Sequence, residues 1–352
     1  MVSKKNKSNN YKKRTIKQRG GNPHIHNKLI SYINEIKGNK PCNTENGNIN
    51  ECKVPDSKSD QMIRICEKSV FKGPRESYRS KIKVYDDFIR VDAHTMNLLV
   101  QTAIKSLNNK NIEQYEDICL SDGYSYAMEG LAYKLPVNVT CIKDKCDKMA
   151  HSVEDYIKII NDNISQITDT EQLNAMIETE SVQIFEWINS IVDSLDFLFN
   201  KIQFHHCDPK AAQLFLNGRQ VIVGDLDKVT FTMKIDETLY RMCLSSTLSL
   251  LSAKVRGSEP EKMRFETSPR QTNLYEKTCF VTSILLLLND KLQINVMGRI
   301  NNSDKISFLT NFILIDKLQE YSKKSFKEKK GHRIASECVN LNSTSLYSQF
   351  GI

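Results

Sequence analysis

No stretch of this chain approaches the ~20 consecutive apolar residues that a membrane-spanning helix needs. The longest apolar runs, residues 242–251 and 280–288, fall well short and are expected to be buried core helices. The N-terminus is charged and has no apolar segment of the kind that opens a secretory signal. The expectation is therefore a non-secreted protein whose ten cysteines are reduced thiols. Neither His205-His206-Cys207 nor Cys141 and Cys146 near His151 has a second ligand pair at workable spacing, which argues against zinc. Internal repeats are absent as well, which excludes solenoid and propeller architectures.

Acidic residues are missing from residues 1–21, which carry eight Lys/Arg. The whole chain has 50 basic and 42 acidic residues, so the remainder beyond residue 21 holds 42 of each and is neutral. The basicity belongs to a tail and excludes a broadly basic nucleic-acid-binding fold. Contact with nucleic acid, if any, is expected only through that tail. Its Lys-Lys-Arg-Thr-Ile-Lys-Gln-Arg-Gly-Gly sequence resembles the N-termini of proteins from large nucleocytoplasmic DNA viruses, some of which are cleaved after Gly-Gly. That resemblance implies a giant-virus product located in the host cytoplasm (the viral factory) or the virion.

Residues 1–60 are rich in Asn, Lys, Ser and Gly and read as a disordered basic tail and linker, with a short helix at most over 30–36. Residues 61–136 alternate short apolar runs with turn signals, around one amphipathic helix at 92–107 with Asp92 as its N-cap. From 137 to 330 the chain is mostly helical, with helices expected at 152–167, 180–201, 237–253, 273–288 and 303–322. Residues 331–352 read as a loosely ordered tail, and the Lys-rich run 323–330 as a solvated helix end. A strand-rich part followed by a larger helical part is an α+β layout.

The chemistry concentrates in 204–231. Phe204-His205-His206-Cys207-Asp208-Pro209-Lys210-Ala211-Ala212-Gln213 is followed by an apolar strand, a turn at Asn217-Gly218, a second apolar strand and Gly224-Asp225-Leu226-Asp227-Lys228. A hairpin of this kind brings its two loop ends together, so Asp208, Lys210 and Gln213 can face Asp225 and Asp227. One carboxylate can then orient or deprotonate a hydroxyl while another holds magnesium on phosphate oxygens. The plainer reading of Asp225 and Asp227 is a solvated strand end.

This segment resembles the catalytic and metal-binding loops of the protein-kinase-like superfamily, His-x-Asp-x-Lys-x-x-Asn followed by Asp-Phe-Gly. The resemblance implies a two-lobed fold, with a small strand-rich N-lobe (61–136) and a larger helical C-lobe (137–330). It also implies a transferase using ATP and Mg2+. Asp208 and Lys210 take the catalytic positions. Asp225, Gln213 and Asp227 take the metal positions, and the second acid is closer to the aminoglycoside- and choline-kinase branch. Lys83 is the first choice for the nucleotide lysine and Lys72 the second, and Met128 and Glu129 fall where the adenine-contacting hinge is expected.

The departures are specific. No Gly-x-Gly-x-x-Gly precedes the first helix, and Lys72-Gly73-Pro74 is the nearest substitute. No Glu stands on that helix to pair with the lysine, and Gln213 replaces Asn. The run from Asp227 to the next element is too short for a peptide-docking activation segment. A hydroxyl-bearing small molecule or protein acceptor is expected, and the alternative is a pseudokinase acting as a scaffold or binding protein.

Overall fold

A computed structural model describes residues 22–37, 40–44, 47–54, 61–66, 69–74, 82–86, 88–121, 124–130, 152–244, 269–322, 335 and 338–340. The basic segment 1–21, the run 323–330 and Cys141, Cys146 and His151 lie outside them. The chain is α+β, as its patterning implies, and among the described residues no helix is long and apolar enough to cross a membrane.

Helix α1 (Pro23–Lys37) begins on proline, whose missing N–H would be unpaired at that position anyway. Its Ile25, Leu29 and Ile33 recur every four residues and are buried in the main core. Over Pro23–Lys37 this corrects the reading of 1–60 as disordered. Polar residues dominate the local composition because they cover the outer face of a docked helix.

Strands β1 (Asn43–Thr44), β2 (Gly47–Asn48), β3 (Gln61–Ile65), β4 (Ser69–Pro74), β5 (Lys83–Val84) and β6 (Phe88–Val91) precede helix α2 (Ala93–Leu107). The Asp92 carboxylate accepts the Thr95 N–H at 2.9 Å, capping α2 as expected. A loop then leads to β7 (Asp117–Ser121) and β8 (Tyr124–Gly130). Strands β3, β4, β8 and β7 form one antiparallel sheet in that order.

The small core of this sheet, Ile49, Phe71, Cys119 and Tyr126, is cross-linked by disulfides Cys42–Cys119 and Cys52–Cys66. These bridges correct the expectation of reduced thiols for four cysteines. A cluster this small buries little apolar area, and cross-links favour the folded state by restricting the unfolded chain. At Gly73 an added Cβ would lie 2.4 Å from the Tyr126 ring, so this glycine serves close packing within a paired strand.

Helix α3 (Val153–Gln166) is capped by Ser152, and α4 (Thr170–Ile202) by Asp169. The long helix starts a full ten residues before the expected boundary, and Leu173, Met176 and Ile177 in its first turns carry its apolar face onto the core between polar neighbours. Strands β9 (Leu214–Asn217), β10 (Gln220–Val223), β11 (Phe231–Ile235) and β12 (Thr238–Leu244) follow. The expected helix at 237–253 is not formed over 238–244. Tyr240, Met242 and Leu244 alternate as buried residues, a period of two, and 245–268 lie outside the described residues.

Strand β12 pairs in parallel with β6, giving a second sheet in the order β11-β12-β6-β5. Segments from the two halves of the chain thus share a sheet. One core cluster likewise runs from Ile25 on α1 to Leu318 near the C-terminus.

Helices α5 (Pro269–Leu287), α6 (Asp290–Asn301) and α7 (Ile315–Ser322) complete the helical part. The expected helix 303–322 is broken, since Ser307–Phe312 is a 3-10 turn and Ile313 bridges to Val339. That bridge also ties Cys338–Asn340 into the fold, within a region expected to be loose. Non-reduced, denatured protein should titrate at most six thiols, the ten cysteines less the four bridged. Reduction should cost about 2–4 kcal/mol per bridge, read as a fall in unfolding midpoint, and a titre of ten would refute the pairing.

Candidate functional site

The loop after α4 begins at Gln203, whose left-handed backbone (φ 46°) turns the chain out of the helix. His205 and Thr230 exchange two backbone hydrogen bonds of 2.8 Å, pinning the start of the segment to its end. Between them β9 and β10 pair with Leu214 opposite Val223, and the Gly224 N–H donates to the Gln213 carbonyl at 2.8 Å. The hairpin therefore sets 208–213 beside 225–228. An added Cβ at Gly224 would stand 2.5 Å from the Phe215 ring, so only glycine fits this approach.

Five side chains meet here, Asp208, Lys210, Gln213, Asp225 and Lys228. Asp208 Oδ2 accepts from Lys210 Nζ at 2.8 Å, Lys228 Nζ at 3.1 Å and Gln213 Nε2 at 3.4 Å. The same Gln213 amide nitrogen donates to Asp225 Oδ2, so one amide spans both carboxylates. Asp227 is buried in the 3-10 turn Leu226–Lys228. Asp225, which precedes that turn, is left-handed (φ 58°), a conformation Asp tolerates better than most residues.

Burial alone would raise the Asp208 carboxyl. The Lys210 hydrogen bond and the Lys210 and Lys228 charges outweigh it and hold the group well below the usual carboxylate range. Burial would lower the Lys228 ammonium, but Asp208, Asp227 and Asp225 together raise it.

Two buried side chains fix the loop backbone. The His206 Nε2–H donates to the Gly224 carbonyl at 2.9 Å, and its Nδ1 accepts the Asp208 N–H at 3.3 Å. A neutral ring with the proton on Nε2 satisfies both contacts. Glu276 on α5 accepts the Cys207 N–H at 2.6 Å and the His206 N–H at 3.1 Å, and lies 3.4 Å from His205 Nδ1. Cys207 is left-handed (φ 64°), so these bonds hold a costly turn.

Of the two lysines considered, Lys72 is the one connected to the site. Its Nζ lies 2.9 Å from Glu113 Oε1, and Glu113 Oε2 accepts the Asp225 N–H at 2.9 Å. Lys72 and Glu113 are only 12% and 4% exposed. Lys83 is exposed on β5, in the other sheet, opposite Arg90. Met128 and Glu129 lie on β8, opposite Phe71 and Val70, and Ala127 is the residue facing Lys72.

Sequence reading missed Glu113, Glu276 and Lys228. It sought an acid on α2, whereas Glu113 follows that helix in a loop positioned by the Ile112–Val223 bridge. Glu276 is buried one turn before the apolar run 280–288, and its polar neighbours Asn273, Lys277 and Thr278 gave no sign of it.

The donors fit magnesium in kind. Asp225, Asp227 and the Gln213 amide oxygen, once turned inward, are hard oxygen ligands. Among the described residues no three His/Cys/Asp/Glu side chains form an all-protein metal cage. Magnesium on a nucleotide needs only one or two carboxylates, because phosphate oxygens and water complete its shell.

Replacing Glu113 by Gln should cost about 3 kcal/mol, since it removes a buried carboxylate charge from beside the Lys72 ammonium; denaturant titration measures it, and a loss within experimental scatter would refute the pairing. Asp208 contributes pH-dependent stability of a definite sign. Its folded pKa is depressed, so the contribution is complete above the ordinary value of about 3.9. It disappears as pH falls through the lowered folded value. Asp208→Asn should accordingly flatten the acid limb of the stability curve, and an unchanged limb would contradict the Asp208–lysine pairing.

The chain matches no known family model and no curated protein.

Proposed function

We propose that this protein is a magnesium- and ATP-dependent phosphotransferase acting on a hydroxyl acceptor, a divergent relative of the protein-kinase-like superfamily. The supporting observation is the Gln213 amide, which spans Asp208 and Asp225 and so places the two carboxylates the chemistry needs side by side. Asp208 orients the acceptor hydroxyl and receives its proton during transfer. A carboxylate held so low is a weak base, so orientation dominates early in the reaction. Lys210 stabilises charge on the transferring group.

Asp225 and Asp227, with Gln213, would hold magnesium, which when bound neutralises phosphate oxygens. Lys72 takes the nucleotide-phosphate role in place of Lys83. A strand lysine paired with a glutamate is the arrangement this superfamily uses for that purpose, and Glu113 supplies the acid that α2 lacks. The acceptor is a hydroxyl-bearing small molecule or protein. The helix expected from 237, which would have closed off a peptide-docking segment, is replaced by β12, and 245–268 lie outside the described residues, so the chain after Asp227 does not by itself restrict the acceptor.

A second reading, a nucleotide-binding pseudokinase used as a scaffold, is favoured by one observation, the missing glycine-rich loop. Phosphoryl transfer from labelled ATP, to the protein itself or to a lysate, separates the two. Asp208→Asn should lower the signal by at least ~100-fold, whereas equal signals would remove the catalytic claim. Mg-ATP at a hundred times its dissociation constant should stabilise the protein by ~2.7 kcal/mol. An unmoved melting curve at millimolar Mg-ATP would count against both readings.

A further inference from the structure

Lys228 stands outside the motif that singles out Asp208 and Asp225, yet it reaches the same oxygen. Its Nζ lies 3.1 Å from Asp208 Oδ2, and the Lys210 Nζ lies 2.8 Å from that atom. Two ammonium groups on one carboxylate oxygen leave one positive charge beyond what Asp208 neutralises.

The neighbouring acids Asp225 and Asp227 offset that surplus only while they hold no cation. Once their charge is committed to magnesium, Asp208 alone faces the two ammonium groups, and the surplus positive charge of the Lys210–Lys228 pair has no further acid to offset it. The Lys228 and Lys210 side chains are 33% and 25% exposed, so both ammonium groups border solvent and can exchange one anionic partner for another. The chain also lacks a Gly-x-Gly-x-x-Gly segment, the usual source of backbone N–H groups around phosphates in this superfamily, so side-chain cations must supply more of that charge.

We propose that Lys228 binds the transferring γ-phosphoryl group of ATP, acting with Lys210 as a two-lysine substitute for a glycine-rich phosphate cradle. The inference rests on the phosphotransferase reading above. In the transfer, the acceptor oxygen bonds to the γ-phosphorus as the bond from that phosphorus to the bridging oxygen breaks. The electron pair leaves on ADP and the acceptor proton passes to Asp208. Negative charge spreads over the equatorial phosphoryl oxygens, and an ammonium that moves from Asp208 onto them stabilises the transition state and frees the carboxylate to take the proton.

The test compares Mg-ATP with Mg-ADP, because only ATP carries the group Lys228 is assigned to. Calorimetric affinities of the full chain for both nucleotides are measured for wild type, Lys228→Ala and Lys228→Arg, alongside phosphoryl transfer from labelled ATP. Wild type should prefer ATP, and Lys228→Ala should lose about tenfold in ATP affinity while ADP affinity stays within about twofold. Unchanged ADP binding shows that the variant is folded. Lys228→Arg should restore the preference for ATP, since it keeps the charge. A Lys228→Ala variant with intact ATP preference and turnover would overturn the inference, reduce Lys228 to a clamp on Asp208 and leave the phosphotransferase reading standing. A wild type that binds neither nucleotide would overturn both.

Discussion

One buried carboxylate connects the two chemically distinct parts of this molecule. Glu113 gives one oxygen to the Lys72 ammonium on the disulfide-linked sheet and the other to the backbone N–H of Asp225. With Glu113 only 4% exposed, neither contact is exchanged readily for water. An uncompensated charge in such a place is expensive, so the position of β4 and that of the acidic turn are set together. The distance from the lysine to the acids is then a property of the fold rather than of flexible side chains.

The same economy of carboxylates recurs at the other end of the site. Glu276 takes two consecutive backbone N–H groups of the 205–208 loop, and His206 spans that loop and Gly224. Cys207 and Asp225 both sit in left-handed backbone, which non-glycine residues adopt at a cost. Charge-assisted hydrogen bonds from buried acids offset that cost. Elements distant in sequence therefore converge on 22 residues of loop and hairpin, from Cys207 to Lys228, and hold them in a conformation the segment would not keep alone.

What could be read from the sequence follows from where the determinants lie. The hairpin and its two acidic ends were legible because the apolar strands, the Asn-Gly turn and the flanking motif are contiguous. The α2 cap and the inward face of α4 were legible for the same reason, since local periodicity and a capping residue suffice. The docked face of α1 was also present, in Ile25, Leu29 and Ile33, but was obscured by a polar composition. Glu113, Glu276 and the choice of Lys72 over Lys83 were not legible, because each depends on a contact between residues 41 to 112 positions apart. The helix expected over 237–253 gives way to a strand over 238–244 on a different ground: an apolar run fits either period, and pairing with β6 decides it.

The electrostatics of Asp208 carry a further consequence. Lysines 210 and 228 hold it as an ionised, poorly basic carboxylate, which under the proposed phosphotransferase reading suits a group that aligns a hydroxyl before accepting its proton. Under that proposal, each lysine drawn onto an incoming phosphate would remove part of what depresses the carboxyl, so its basicity would rise with phosphate in place. Coupling proton acceptance to phosphate occupancy would disfavour futile deprotonation of the acceptor in an empty site. The proposed coupling fixes which substitutions are informative: Asp208→Asn removes the proposed proton acceptor, whereas Lys228→Ala leaves it and removes the proposed link.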